Sequence, residues 1–120
     1  MTKDSLEQLR QRLAEFAAVR DWDQFHSPKN LAMALIAEAA ELVEHFQWLS
    51  EEQSHHLSLE KKQAVSHELA DVLIYLIRLA DKLDIDLITA AQSKIQINDL
   101  RYPVARVKGD ARRAEEYPKE

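Results

Sequence analysis

Apolar residues recur at helical spacing in four stretches of this chain. Leu6, Leu9, Leu13, Phe16 and Ala17 share one face of a first helix, expected over about residues 4–20. Residues 21–26 read as a connection. Ser27-Pro28 is a start signal, with serine as N-cap and proline at the first helical position. The second helix is expected to reach about Leu49, and residues 50–58 form a polar loop. Ser58 caps a third helix that runs to about Leu83. Residues 84–86 break the pattern, and Asp86 caps a fourth helix ending near Arg101, stopped by Pro103. Residues 104–120 are charged, hold the lone Gly109 and read as a loosely ordered arm. The pattern predicts an all-α fold, with a four-helix domain over residues 1–103 and a charged C-terminal arm after it.

Two acidic pairs interrupt the apolar stripes. Glu38 falls among Leu31, Leu35, Leu42 and Leu49; Glu68 falls among Val65, Val72, Leu76 and Leu79. Glu41 and Asp71 follow at i+3, each on the same side of its stripe, about 60° round at roughly 100° per residue. A short loop makes the second and third helices antiparallel neighbours. Folding the chain about residue 54 brings position 38 level with about 71, and 41 with about 68. Four carboxylates then share one height. Such a group repels itself unless it takes up protons or a cation, and hard oxygen ligands suit Mg²⁺, Mn²⁺ or Ca²⁺. The bland reading of the same residues is surface acids in helical ion pairs.

Composition supports this picture. The chain has 120 residues, 46% of them apolar, with a single glycine and three prolines, which suits one helical domain. Without cysteine there is no disulfide framework, thiolate metal site or cysteine nucleophile. A net charge of −5 argues against a dedicated nucleic-acid binder. No stretch has the length of a membrane span and no signal peptide is visible, so the cytoplasm is the expected compartment.

Other residues offer chemistry with competing plain readings. His55 and His56 sit in a polar loop, and His45 lies one turn after Glu41. The one Glu-x-x-His match, Glu52 to His55, falls in that loop and excludes a ferritin-like di-iron site. Trp22, Phe25 and His26 precede the second helix and Trp48 lies at its far end, about 30 Å away along a straight helix. As a base-stacking pocket they need a second chain; otherwise they are packing residues. Met33, Ile36 and Val43, with Leu73, Ile74 and Ile77, leave the two central helices apolar on nearly all sides, which suggests burial by another subunit. Lys94, Asn98 and Arg101 form one polar stripe with Tyr102 beside it, suited to polyphosphate oxygens or to plain solvation.

The run Phe25-His-Ser-Pro-Lys-Asn-Leu31, then Glu38-Ala-Ala-Glu-Leu-Val-Glu-His-Phe-Gln-Trp48, resembles the all-α nucleoside triphosphate pyrophosphohydrolases of the MazG-like superfamily, in particular the small dCTP pyrophosphatase type. Glu68-Leu-Ala-Asp-Val-Leu-Ile-Tyr-Leu76 and the segment from Ser93-Lys94 through Asn98 to Arg101-Tyr-Pro103 continue the resemblance. It implies Mg²⁺-dependent hydrolysis of a (deoxy)nucleoside triphosphate to the monophosphate and pyrophosphate, by a homotetramer built as a dimer of dimers. It implies Glu38, Glu41, Glu68 and Asp71 as metal ligands and catalytic acids. Trp22, His26 and Trp48 match positions that enclose base and sugar. Lys94 and Asn98 match positions near phosphates or sugar, with Arg101, Tyr102 and Tyr75 as further candidates. Lys29 stands where an arginine is common in close relatives, and meets a phosphate as a point charge. Two rivals remain: a pyrophosphohydrolase for another phosphorylated nucleotide metabolite, and a non-enzymatic helical interaction module whose acids are solvated.

Overall fold

The computed structural model describes residues 5–118. The start at residue 4 expected for the first helix lies outside them, as do the remaining terminal residues of the domain and the arm. The described residues form helices and turns, with no strand among them. Two compact units result, residues 1–85 and 86–120.

In the first unit, α1 (Leu6–Val19) opens on a capping box: Ser5 Oγ accepts the Gln8 N–H, and the Gln8 side chain accepts the Ser5 N–H at 2.7 Å. It closes on a Schellman turn. The Trp22 N–H reaches Ala17 O at 2.9 Å and the Asp21 N–H reaches Ala18 O at 3.0 Å, with Asp21 in the left-handed region at φ 55°. Trp22 then packs edge-on against Phe16, with ring centroids 5.7 Å apart. A 3₁₀ turn, Asp23–Phe25, leads to α2 (Pro28–Glu44), capped by Ser27 as expected.

α2 stops at Glu44, short of Leu49. The Phe46 and Leu49 N–H groups bond three residues back, to Val43 O and Phe46 O, in successive tight turns. The cause lies just downstream. Ser50 adopts extended backbone as N-cap of a short α3 (Glu51–Ser54), in a capping box with Gln53, and that conformation cannot continue α2.

α4 (Leu59–Lys82), capped by Ser58, packs against α2 and, separately, against α1. A second Schellman turn ends it, with Asp84 at φ 55° and the Ile85 N–H on Ala80 O at 2.8 Å. The core of this unit is Ala17, Leu31, Val65, Ile77 and Ala80. Ile77, expected to face another subunit, is 2% exposed, whereas Leu76 of the expected stripe is 37% exposed. With α1 as well as α2 for a neighbour, the buried face of α4 turns along its length.

In the second unit, Asp86 caps α5 (Leu87–Arg101), and α6 (Val104–Val107) and a 3₁₀ turn at Ala114–Glu116 follow. The expected loose arm is closed back on the end of α5. Tyr102 Oη accepts the Ala114 N–H at 3.0 Å, and Tyr117 is buried with the Arg106 and Arg112 guanidinium groups over its ring. Gly109, at φ 81°, makes the reversal.

Candidate functional site

Glu38 and Glu41 project from α2, one turn apart, and Glu68 from α4. One oxygen of each lies within 4.8 Å of the others. Oε2 of Glu38 and Oε2 of Glu68 are buried without a hydrogen-bond partner. The Glu38 carboxyl is pushed up from 4.5 to about 7, first by burial, then by hydrogen bonding to Glu41 and Glu68, then by the Glu41 and Asp71 charges. A proton on Glu38 can bridge to either neighbour; with all three groups ionised, only repulsion is left. Asp71, the fourth expected ligand, stands outside the tight group, half-buried. Its side chain is one methylene shorter than glutamate's, and Glu38 feels it as a nearby charge.

The aromatic candidates separate. Trp22 and His26 are neighbours, with ring centroids 6.3 Å apart. Trp48 lies in the turns beyond α2, 87% exposed. Lys29 is exposed in the first turn of α2, and Tyr75 is half-buried on α4, one turn after Asp71. Of the other histidines, His55 and His56 are exposed, His56 beside Glu52 at 3.1 Å, and His45 is half-buried as the C-cap of α2.

Lys94, Asn98, Arg101 and Tyr102 all belong to the second unit. Lys94 is exposed and Asn98 half-buried on α5. Arg101 lies 3.6 Å from Glu115 and over the Tyr102 ring, so it and Tyr102 have partners of their own.

Sequence reasoning passed over Arg78, which is 3% exposed. A lone cation in the apolar run from Val72 to Ala80 was as conspicuous a signal as the acids. Arg78 Nη2 donates to Asp23 Oδ1 at 2.8 Å, and Nη1 lies 3.6 Å from Asp81 Oδ2. Asp23 also accepts from Lys82 Nζ at 3.0 Å, and Asp81 from Arg10 Nη1 of α1 at 3.1 Å. The Lys82 and Arg78 hydrogen bonds hold the Asp23 carboxyl below its ordinary range.

The MazG-like family model matches residues 34–116. The dCTP pyrophosphatase 1 of Homo sapiens is 44% identical to this chain over 116 residues, covering 95% of it and 68% of the human protein. That of Rattus norvegicus is also 44% identical, over 96% of this chain and 69% of its own length. The crystal structure of a pyrophosphatase from Archaeoglobus fulgidus superposes with a TM-score of 0.79 at 39% identity, covering 86% of this chain and 96% of that one. The chain belongs to the MazG-like family, as a pyrophosphohydrolase enzyme.

Proposed function

We propose that this enzyme hydrolyses a deoxynucleoside triphosphate, dCTP or a close relative, to the monophosphate and pyrophosphate, using Mg²⁺. One observation carries the reading: two buried carboxylate oxygens, on Glu38 and Glu68, have no donor inside a group of three acids. Buried acceptors of that kind call for a proton or a cation. The oxygen-only donor set fits a hard divalent ion, held by Glu38, Glu41 and Glu68 with Asp71 beside them. A bound divalent ion supplies positive charge for triphosphate oxygens and acidifies a water ligand.

The chain's own residues supply the rest. One of the acids orients the attacking water. Trp22 and Trp48 offer flat apolar faces to the base, and His26 a polar contact to base or sugar. Lys29, Lys94 and Arg101 offer cationic contacts to phosphate, and Asn98, Tyr75 and Tyr102 hydrogen bonds. The names of the relatives support dCTP as the first substrate to try.

The working form in this reading is a homotetramer, a dimer of dimers in the cytoplasm that clears unwanted nucleotides. Met33, Ile36 and Val43 on α2 and Leu69 and Leu73 on α4 are exposed, a supply of apolar surface that suits burial by further copies. No described helix is long and apolar enough to cross a membrane.

The test is product analysis with purified protein, dNTPs and Mg²⁺. Monophosphate with pyrophosphate is expected, and chelation should abolish turnover. Diphosphate with orthophosphate would overturn the cleavage position.

A further inference from the structure

Arg78 is the buried charged side chain among the described residues, and two of its partners are the anions that a buried cation needs. The third is unusual. Arg78 Nε lies 3.3 Å and Nη2 3.2 Å from Nδ1 of His26. A guanidinium has donors only, so Nδ1 must accept. An imidazole nitrogen accepts only when it carries no proton, so the ring is neutral and its proton sits on Nε2. Among the described residues, no hydrogen bond engages Nε2.

The same guanidinium grips Asp23, and the His26 N–H donates to Asp23 O at 3.1 Å. Arg78 therefore holds both ends of the turn that carries His26. The charges around the ring favour its neutral form. Asp23 on its own turn opposes Arg78 and Lys82 from α4, while Asp81 is shared between Arg78 and Arg10 of α1. Protonation would place a further cation against Arg78 and break the Nδ1 contact. Consistent with this, burial first and the Arg78 charge second push the His26 pKa below 6.5.

We propose that Arg78 is a positioning residue for the nucleotide pocket: it keeps His26 neutral with the proton on Nε2, so that His26 presents a fixed hydrogen-bond donor to an acceptor oxygen of the nucleoside. The inference rests on the assignment of His26 to that pocket. It makes the pocket select for an oxygen acceptor at that point, and it makes nucleotide affinity depend on a residue that does not itself touch the nucleotide.

Heteronuclear NMR of the ring, with His26 assigned by His26→Gln, reads the tautomer directly. In ligand-free wild type the Nε2–H form and a titration midpoint below 6.5 are expected. In Arg78→Gln the midpoint should rise toward 6.5 and a tautomer mixture appear. KM for dCTP should then rise about ten-fold at pH 8, where the neutral ring divides between tautomers, and less at pH 6, where the protonated ring again carries Nε2–H, with kcat and Mn²⁺ affinity nearly unchanged. Arg78→Lys, which keeps the charge and loses the fork, should restore the midpoint more than the KM. A proton on Nδ1 in the wild type overturns the proposal, and needs no variant to fold. A folded Arg78→Gln with wild-type midpoint and KM overturns it as well. Wild type that hydrolyses no nucleotide overturns the underlying assignment instead, and is seen before any variant is made.

Discussion

A buried carboxylate oxygen without a donor makes its residue a sensor of protons and cations. Glu38 takes up a proton on folding, because its pKa rises from 4.5 to about 7. Its stabilisation is therefore fully present below pH 4.5 and lost as pH rises through 7. In thermal melts the metal-free protein should lose stability over that window, and Mg²⁺ should restore it at pH 8. Glu38→Gln, which cannot ionise, should flatten that slope while lowering activity by about 10²–10³-fold in the product assay. An unchanged slope would remove Glu38 from the centre of the cluster. His26 runs the other way. Its lowered pKa gives stability present above 6.5 and lost as pH falls through its folded value. In Glu38→Gln the rise of stability with pH through His26's range should therefore stand out.

At the scale of elements, the ends of helices do the positioning. Ser27 accepts the Asn30 N–H and starts α2 beside the turn that carries His26. Ser27→Ala should cost about 1 kcal/mol in urea denaturation. Asp21 and Asp84 occupy left-handed positions where glycine is the usual choice. Asp84→Gly should raise stability by about 0.5–1 kcal/mol, whereas Asp84→Val should lower it. The N-caps Ser27, Ser58 and Asp86 were legible in the sequence, since each needs only residues three apart, whereas Ser5, Ser50 and the left-handed Asp21 and Asp84 were not read there. The misplaced end of α2 and the short α3 inside the stretch read as a loop have a common origin. Ser50 and Gln53 spell a capping box, and the apolar stripe through Leu49 conceals it.

For the whole molecule, the apolar residues left outside are as informative as the core. Ile36 is 67% and Trp48 87% exposed, while the buried apolar set among the described residues is small. Light scattering should give a multiple of the 13.9 kDa chain mass, four-fold in the proposed tetramer. Ile36→Asp with Leu73→Asp should dissociate the assembly and cost activity together with mass. A fully active monomer would exclude sites shared between chains.

The sequence by itself determined the all-helical class, the N-caps Ser27, Ser58 and Asp86, and the two acidic pairs. Each of these is a periodicity or a spacing of three or four residues, which the backbone converts directly into a shared face. The tertiary structure decided which acids meet, bringing Glu68 and not Asp71 within 4.8 Å of Glu38 and Glu41. It also decided that Arg78, 52 residues from His26 along the chain, lies buried against it. Those outcomes depend on how helices cross and how far each side chain reaches, and no local pattern records a distance through space.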